Sequence, residues 1–161
     1  MMPAESAMQH ATARPSSATP AEGSVLGFDF GLRRTGVAVG ELLLGIAHPL
    51  ETLAQPDRAA RFARIGQLVT QWRPVLMVVG MPTHPDGGVH ELAGAVERFA
   101  RQLEGRFGLP VCFTDETLSS DAASRDLAAQ GIRGRRQKPL LDQAAAREIL
   151  QSFFESLRVA A

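Results

Sequence analysis

Residues 25–40 read Val-Leu-Gly-Phe-Asp-Phe-Gly-Leu-Arg-Arg-Thr-Gly-Val-Ala-Val-Gly, and this stretch decides how the rest of the chain is interpreted. Two apolar segments flank a short turn that carries Arg33 and Arg34. The first segment contains a single acid, Asp29. An ionised carboxylate in a buried strand costs several kcal/mol unless a partner compensates its charge. We therefore expect Asp29 to be a metal ligand and other parts of the chain to supply its partners.

Composition limits the classes of protein that this chain can belong to. Its 161 residues are 45% hydrophobic, which suits one domain with a sizeable core. The 17 basic and 17 acidic residues balance, so that any surface for nucleic acid must be local. The single cysteine, Cys112, excludes a disulfide framework and a cysteine-based zinc site, and it fits a reducing cytoplasm. No apolar run approaches the roughly 18 residues of a membrane span.

The first 23 residues differ in composition from the rest. They are rich in Ala, Ser, Thr and Pro, and they lack the apolar segment of a secretory signal. We expect residues 1–23 to form a disordered tail and residues 24–161 to form one domain.

Hydrophobic periodicity predicts the element order β-β-β-α-β-α-β-α-α after the tail. Asp57 is expected to cap the first helix and Gly108 to end the second. Asp86-Gly87 indicates a turn after the fourth strand. Strands separated by helices are typical of an α/β sheet, here beginning with an antiparallel meander. The strands are predicted at 24–30, 36–41, 42–48, 75–81 and 109–114, and the helices at 58–72, 89–107, 119–130 and 139–157.

Two further acids are placed where they could meet Asp29. Ligands of open α/β sheets lie beyond the carboxyl ends of the strands, and Glu116 follows the fifth predicted strand. Asp142 lies in line with apolar residues at 145, 146, 149, 150 and 153, which puts its carboxylate on the helix face that packs onto the sheet. Converging carboxylates suit Mg²⁺ or Mn²⁺. Such a site activates water, which predicts phosphodiester hydrolysis.

Each acid also has a simpler interpretation. Asp29 could accept hydrogen bonds from backbone amides of the following turn. Asp142 could stabilise the dipole of the last helix from its first turn. Glu116 could be a solvated loop acid, and its neighbour Asp115 could take its role. Only convergence of the carboxylates distinguishes the metal site from these alternatives.

Basic residues could supply the substrate side of such a site. Arg33 and Arg34 follow Asp29 directly, and a second basic group precedes Asp142. Clusters of this kind bind phosphates through charge-assisted hydrogen bonds and counterion release, although a solvated loop is the alternative. The second group comprises Arg133, Arg135, Arg136 and Lys138.

Four sequence blocks resemble the RuvX/YqgF family, whose members are described as Holliday junction resolvases or pre-16S rRNA nucleases. They occur in the family order and cover nearly everything after Gly23. The blocks are Phe-Asp-Phe-Gly (28–31) with Arg33 and Gly-Val-Ala-Val-Gly (36–40), Val-Gly-Met-Pro (79–82) with Asp-Gly (86–87), Asp-Glu-Thr-Leu-Ser (115–119), and Asp-Gln-Ala-Ala (142–145) with Ile-Leu (149–150).

The resemblance implies an RNase H-like fold, a five-stranded mixed sheet flanked by helices. It also implies that Asp29, Glu116 and Asp142 bind the divalent metal. Thr117 departs from the family pattern, which usually has Arg there, and this departure puts a substrate contact at that loop in doubt. Gly31 and Gly36 are expected to shape the turn between the first two strands, as Asp86 and Gly87 shape the later one.

The leading hypothesis is a metal-dependent endonuclease that processes the 5′ end of pre-16S rRNA. One alternative is a Holliday junction resolvase, which would ordinarily act as a two-fold symmetric dimer, but no dimer face is recognisable in the sequence. Further alternatives are a nucleic-acid-binding module with little catalysis and a nucleotide-phosphate binder. No element in the sequence selects RNA over DNA.

Overall fold

The computed structural model describes residues 19–54, 57–82, 92–116, 131 and 137–160. Several predictions lie outside these residues: residues 1–18 of the tail, the helix at 119–130, and the turn at Asp86-Gly87.

Five strands and three helices form the described part of the chain. The sheet has the order β3-β2-β1-β4-β5. Strands β1, β2 and β3 pair antiparallel, whereas β1, β4 and β5 pair parallel. The predicted five-stranded mixed sheet is therefore confirmed. The elements are β1 (Ser24–Asp29), β2 (Thr35–Glu41), β3 (Ile46–Leu53), α1 (Arg58–Trp72), β4 (Pro74–Pro82), α2 (Ala93–Phe107), β5 (Val111–Glu116) and α3 (Gln137–Ala160).

The sheet separates two hydrophobic cores. Alternate residues of β1 point to opposite faces, so that Leu26 and Phe28 pack with α1 and α2, while Val25 packs with α3. All three side chains are fully buried. Burial on both faces explains why β1 is apolar almost throughout. No helix in the described ranges combines the length and apolar character that crossing a membrane requires.

Two predicted helix ends are confirmed. The Asp57 side chain accepts hydrogen bonds from the backbone amides of Ala59 and Ala60, at 3.4 and 3.3 Å, at the start of α1. Gly108 ends α2 with φ +66°, and its N–H donates to the Glu104 carbonyl at 2.9 Å. These contacts satisfy backbone groups that a helix end leaves without partners.

The predicted start of the third strand at Leu42 is wrong. Residues 42–45 form the turn between β2 and β3, which is closed by a hydrogen bond from Gly45 N–H to the Glu41 carbonyl at 2.8 Å. The apolar run Leu42-Leu43-Leu44 suggested a strand, yet Leu43 and Leu44 are exposed. Strand β3 instead continues to Leu53, through a segment that was predicted as a connector from Pro49. It lies at the sheet edge, where a proline is tolerated.

Helix α3 packs directly on the backbone of the sheet. Four glycines face it, and a Cβ added at any of them would lie closer than 3.0 Å to another atom, which real Cβ atoms essentially never do. At Gly27 the added atom would lie 2.9 Å from Leu150 Cβ, and at Gly40 it would lie 2.6 Å from Phe154 Cε2. The full set is Gly27, Gly36, Gly40 and Gly80. Glycine at these positions therefore sets the height of α3 above the sheet.

Gly36 differs from its predicted role as a turn residue. It lies within β2, and an added Cβ would overlap the backbone carbonyl of Asp142. Gly31 does lie in the turn, where an added Cβ would overlap the Arg34 carbonyl oxygen. The close approach of α3, rather than turn geometry, requires glycine at position 36.

Gly36→Ala is expected to lower the free energy of unfolding by about 1–3 kcal/mol, because the methyl group would push the start of α3 off the sheet. Urea denaturation measures this change. Gly105→Ala is the matched control, since an added Cβ there meets nothing within 4 Å. In the interior of α2, that change should raise stability by about 0.5–1 kcal/mol. Equal stability of the two variants would contradict the packing argument.

Candidate active site

The C-terminal edge of the sheet presents Asp29 to the face that α3 covers. Asp29 is the last residue of β1 and has the same orientation as Val25 and Gly27. Its partner in the β1–β2 pairing is Gly36, whose backbone contacts Asp142. A single glycine therefore lies beside two of the predicted ligands.

Glu116 reaches Asp29 across a gap in the intervening strand. Strand β4 lies between β1 and β5, and Gly80 lies one residue beyond the Phe28–Val79 pair. The Oε1 atom of Glu116 lies 3.2 Å from where a Cβ of Gly80 would be. Because that side chain is absent, the Glu116 carboxylate hydrogen-bonds with the Asp29 carboxyl group.

The strand register separates Glu116 from its acidic neighbour. Strand β5 extends to Glu116 rather than ending at Thr114 as predicted, so that Glu116 belongs to a strand and is partly buried. The interpretation of Glu116 as a loop acid is therefore wrong. Asp115 is exposed, and strand alternation directs it to the opposite face. Of the two acids, Glu116 is the one that joins Asp29.

Asp142 approaches the same place from α3. The helix begins at Gln137, two residues before the predicted start, and its first turn contains no acid. The helix-dipole interpretation of Asp142 is therefore wrong. Its side chain is only 21% exposed on the face that packs against the sheet. The structure thus brings Asp29, Glu116 and Asp142 together at one edge of the sheet.

Crowding of negative charge changes the protonation of Asp29. Burial, the charge of Glu116, the hydrogen bond with Glu116 and the charge of Asp142 together raise its pKa to about 8, and burial is the largest of these causes. A carboxylate that capped backbone amides would have a lowered pKa instead. The direction of the shift argues against the capping interpretation and shows that the cluster favours an added positive charge.

Arg34 supplies one such charge. Its Nε donates to Oδ2 of Asp142 at 2.6 Å, and both side chains are about one third exposed or less, at 35% and 21%. Arg33 is exposed at the same turn. The ion pair gives Arg34 a role within the acid cluster, and its predicted contact with substrate stays a prediction.

The second basic group is described at one position only. Lys138 is exposed in the first turn of α3, on the helix that carries Asp142. Arg133, Arg135 and Arg136 lie outside the described residues, so that their role as phosphate contacts stays a prediction.

The role of Gly80 was not predicted from the sequence. A glycine inside the apolar run 75–81 is a recognisable signal, because glycine in a strand often indicates close approach of another group. Its function depends on the register of three strands, and a single strand does not reveal that register.

The three acids are close together but are not arranged as metal ligands in this structure. Within the described ranges, no three His, Cys, Asp or Glu side chains are arranged to hold a metal ion. The Asp29 and Glu116 carboxyl groups instead hydrogen-bond with each other, and Asp142 forms an ion pair with Arg34. The donor chemistry fits Mg²⁺ or Mn²⁺, which prefer carboxylate oxygens. Binding would require loss of the shared proton and movement of Arg34.

We expect Asp29→Asn to stabilise the protein in EDTA-containing buffer, and to do so more strongly as pH rises. Between the unfolded pKa of 3.8 and the folded pKa of about 8, the folded chain retains a proton that the unfolded chain releases. Wild-type stability therefore falls as pH rises through this window, and the asparagine does not titrate. The gain should reach about 1–3 kcal/mol above about pH 8, as a tenfold change in proton affinity is worth about 1.4 kcal/mol and solvent screens part of it.

Urea denaturation across this pH range tests the expectation. Asp115→Asn is the matched control, because it removes the exposed carboxylate of the residue that precedes Glu116. A pH-dependent gain of the same size in both variants would show that the three acids do not interact as described.

Comparison with known proteins agrees with the geometry. The model of a family described as "RuvX: Holliday junction resolvase" matches residues 23–156. A protein of Methylobacillus flagellatus named "Putative pre-16S rRNA nuclease" is 52% identical over 143 residues, covering 89% of this chain and 98% of its own length. A protein of the same name from Nitrosomonas eutropha is 51% identical over 138 residues, covering 86% and 88%.

Two solved structures share the fold at low sequence identity. RuvC of T. thermophilus in complex with a Holliday junction substrate has a TM-score of 0.52 and 17% identity, covering 84% of this chain and 96% of its own. The fowlpox virus resolvase in complex with Holliday junction DNA has a TM-score of 0.53 and 13% identity, covering 83% and 98%. On the family match and the close relatives, the chain belongs to the RuvX family.

Proposed function

We propose that this protein is a metal-dependent endonuclease that hydrolyses phosphodiester bonds at the 5′ end of pre-16S rRNA. The observation that carries the proposal is the convergence of Asp29, Glu116 and Asp142 at one sheet edge. The names of relatives at about 50% identity support the rRNA substrate. Such an enzyme would act in the cytoplasm, in keeping with the single cysteine.

Asp29, Glu116 and Asp142 would hold Mg²⁺ or Mn²⁺. Three carboxylates lie in one cluster, and after burial the charges of Glu116 and Asp142 contribute to the raised pKa of Asp29. When bound, a divalent ion lowers the pKa of water and stabilises negative charge on phosphoryl oxygens.

The basic residues of the β1–β2 turn would handle the substrate phosphate. If Asp142 held a metal ion, its ion pair with Arg34 would break. The Arg34 guanidinium would then be available for a phosphodiester oxygen. Arg33 is exposed beside it and can hold a neighbouring phosphate. Lys138 adds a third positive charge at the start of α3.

Resolution of four-way DNA junctions is the second candidate function. The description of the matching family favours it. A resolvase that cuts paired strands requires a two-fold dimer. The two candidates differ in substrate, so that the rates of cleavage of pre-16S rRNA and of four-way DNA junctions, measured in one assay, decide between them.

Asp29→Asn is expected to reduce the rate of cleavage by at least about 100-fold and to leave nucleic-acid binding largely intact, because it removes a metal ligand rather than a phosphate contact. A gel assay with Mg²⁺ or Mn²⁺ on an rRNA precursor and on a four-way junction measures cleavage, and fluorescence anisotropy measures binding. Asp115→Asn is the matched control and should cleave at the wild-type rate. Undiminished cleavage by Asp29→Asn would overturn the proposed mechanism.

Arg34→Gln should tighten Mn²⁺ binding by about threefold to tenfold, because the ion pair with Asp142 opposes metal binding and close charges interact with a few kcal/mol at most near a surface. Isothermal titration calorimetry measures the dissociation constant. Arg33→Gln removes the same charge from the adjacent exposed position and serves as the control. The same gain in both variants would indicate a general field effect instead of competition for Asp142.

A further inference from the structure

A pocket with three arginines lies on the face of the sheet opposite the acids. It has a volume of about 250 Å³ and opens between the first turns of α1 and the first turns of α2. No carboxylate is among the described residues that line it. The lining consists of Phe30, Leu32, Arg58, Arg61, Phe62, Ala95, Arg98, Phe99 and Gln102.

Arg61 is the buried arginine among the residues that line this pocket. It is only 6% exposed, and its Nη2 donates to the Leu32 carbonyl at 3.0 Å, on the turn that follows β1. Its guanidinium carbon lies 5.4 Å from the centre of the Phe30 ring, which in turn lies 4.7 Å from the ring of Phe99. These contacts hold the positively charged guanidinium at the wall of the pocket, and guanidinium groups bind phosphate through charge-assisted hydrogen bonds. Burial lowers the pKa of Arg61.

Arg58 and Arg98 complete the positive lining. Both are exposed; Arg58 is the first residue of α1, and Arg98 lies in the second turn of α2. The nearby Asp57 carboxylate is engaged by the backbone amides of Ala59 and Ala60. The pocket therefore combines the positive charges of three arginine side chains.

Its position relates the pocket to the acid cluster. Phe30 lines it, and the preceding residue, Asp29, belongs to the cluster on the other face. The exposed β1–β2 turn, with Leu32 and Arg33, lies between them.

We propose that this pocket binds a phosphate of the nucleic-acid strand that flanks the cleavage site, with the strand crossing the β1–β2 turn between the two faces. This inference rests on the proposed function for the identity of the ligand. It gives the protein a phosphate-binding site separate from the basic residues near Asp142.

The test uses the Arg58→Gln/Arg98→Gln variant and a short labelled single-stranded RNA, with binding measured by fluorescence anisotropy in EDTA. The dissociation constant should rise about tenfold or more, as two charge-assisted contacts are lost. The slope of log affinity against log salt should decrease in magnitude by about 0.7, since the pocket holds one phosphate and each phosphate contact on a single strand contributes about 0.7. With Mg²⁺, the KM for cleavage should rise while kcat stays near the wild-type value.

Arg73→Gln/Arg101→Gln is the matched control, because it removes two exposed arginines that do not line the pocket. An equal loss of affinity in the two double variants would overturn the inference. The inference would also be overturned if the Arg58→Gln/Arg98→Gln variant lost binding of a nucleoside monophosphate, measured by thermal shift, but kept the wild-type affinity for RNA.

Failure of the proposed function gives a different result. A wild-type protein that binds RNA but cleaves neither RNA nor junction would refute the catalytic proposal. The pocket would still stand if the double variant bound RNA more weakly than its control.

Discussion

The contact between α3 and the glycine backbone of the sheet is the constraint on which the rest of the structure depends. A Cβ added at Gly27, Gly36, Gly40 or Gly80 would overlap with atoms of the helix. The absence of these Cβ atoms lets α3 lie low enough for Asp142 to reach the edge where β1 and β5 end. Gly80 has a second effect, because the space above it is where the Glu116 carboxylate crosses to Asp29. The same packing that completes one hydrophobic core therefore also assembles the acids.

Assembly of the acids carries an electrostatic cost that the protein meets locally. A proton shared between Asp29 and Glu116 reduces the negative charge of the pair, and the Arg34 guanidinium compensates Asp142. Both compensating charges are exchangeable, since a proton is lost to solvent as pH rises and an arginine side chain rotates. A divalent cation, as proposed, would replace them both. The carboxylates are therefore already close together, and the charges that compensate them can be exchanged for a cation.

Much of this arrangement follows from sequence patterns. The apolar run with its single acid predicted β1 and Asp29, and the helical spacing of Asp142 with Ala145, Ala146 and Ile149 predicted the face of α3 that meets the sheet. The choice between Asp115 and Glu116 depended on strand register, which local patterns leave open. The predicted start of β3 was wrong because the turn contains three consecutive leucines, a composition that is typical of a strand. The arginine pocket was not predicted either, because its walls come from the turn after β1, from α1 and from α2, which are distant in sequence.

The central claim is that α3 positions Asp142 to share one divalent cation with Asp29 and Glu116. The most direct measurement is a crystal structure with Mn²⁺, in which anomalous scattering locates the ion. We predict a peak within about 2.0–2.5 Å of oxygens from all three carboxylates, with Arg34 turned away from Asp142. A protein that cleaves nucleic acid at the same Mn²⁺ concentration but binds the ion elsewhere, or with the Arg34–Asp142 ion pair intact, would contradict the account.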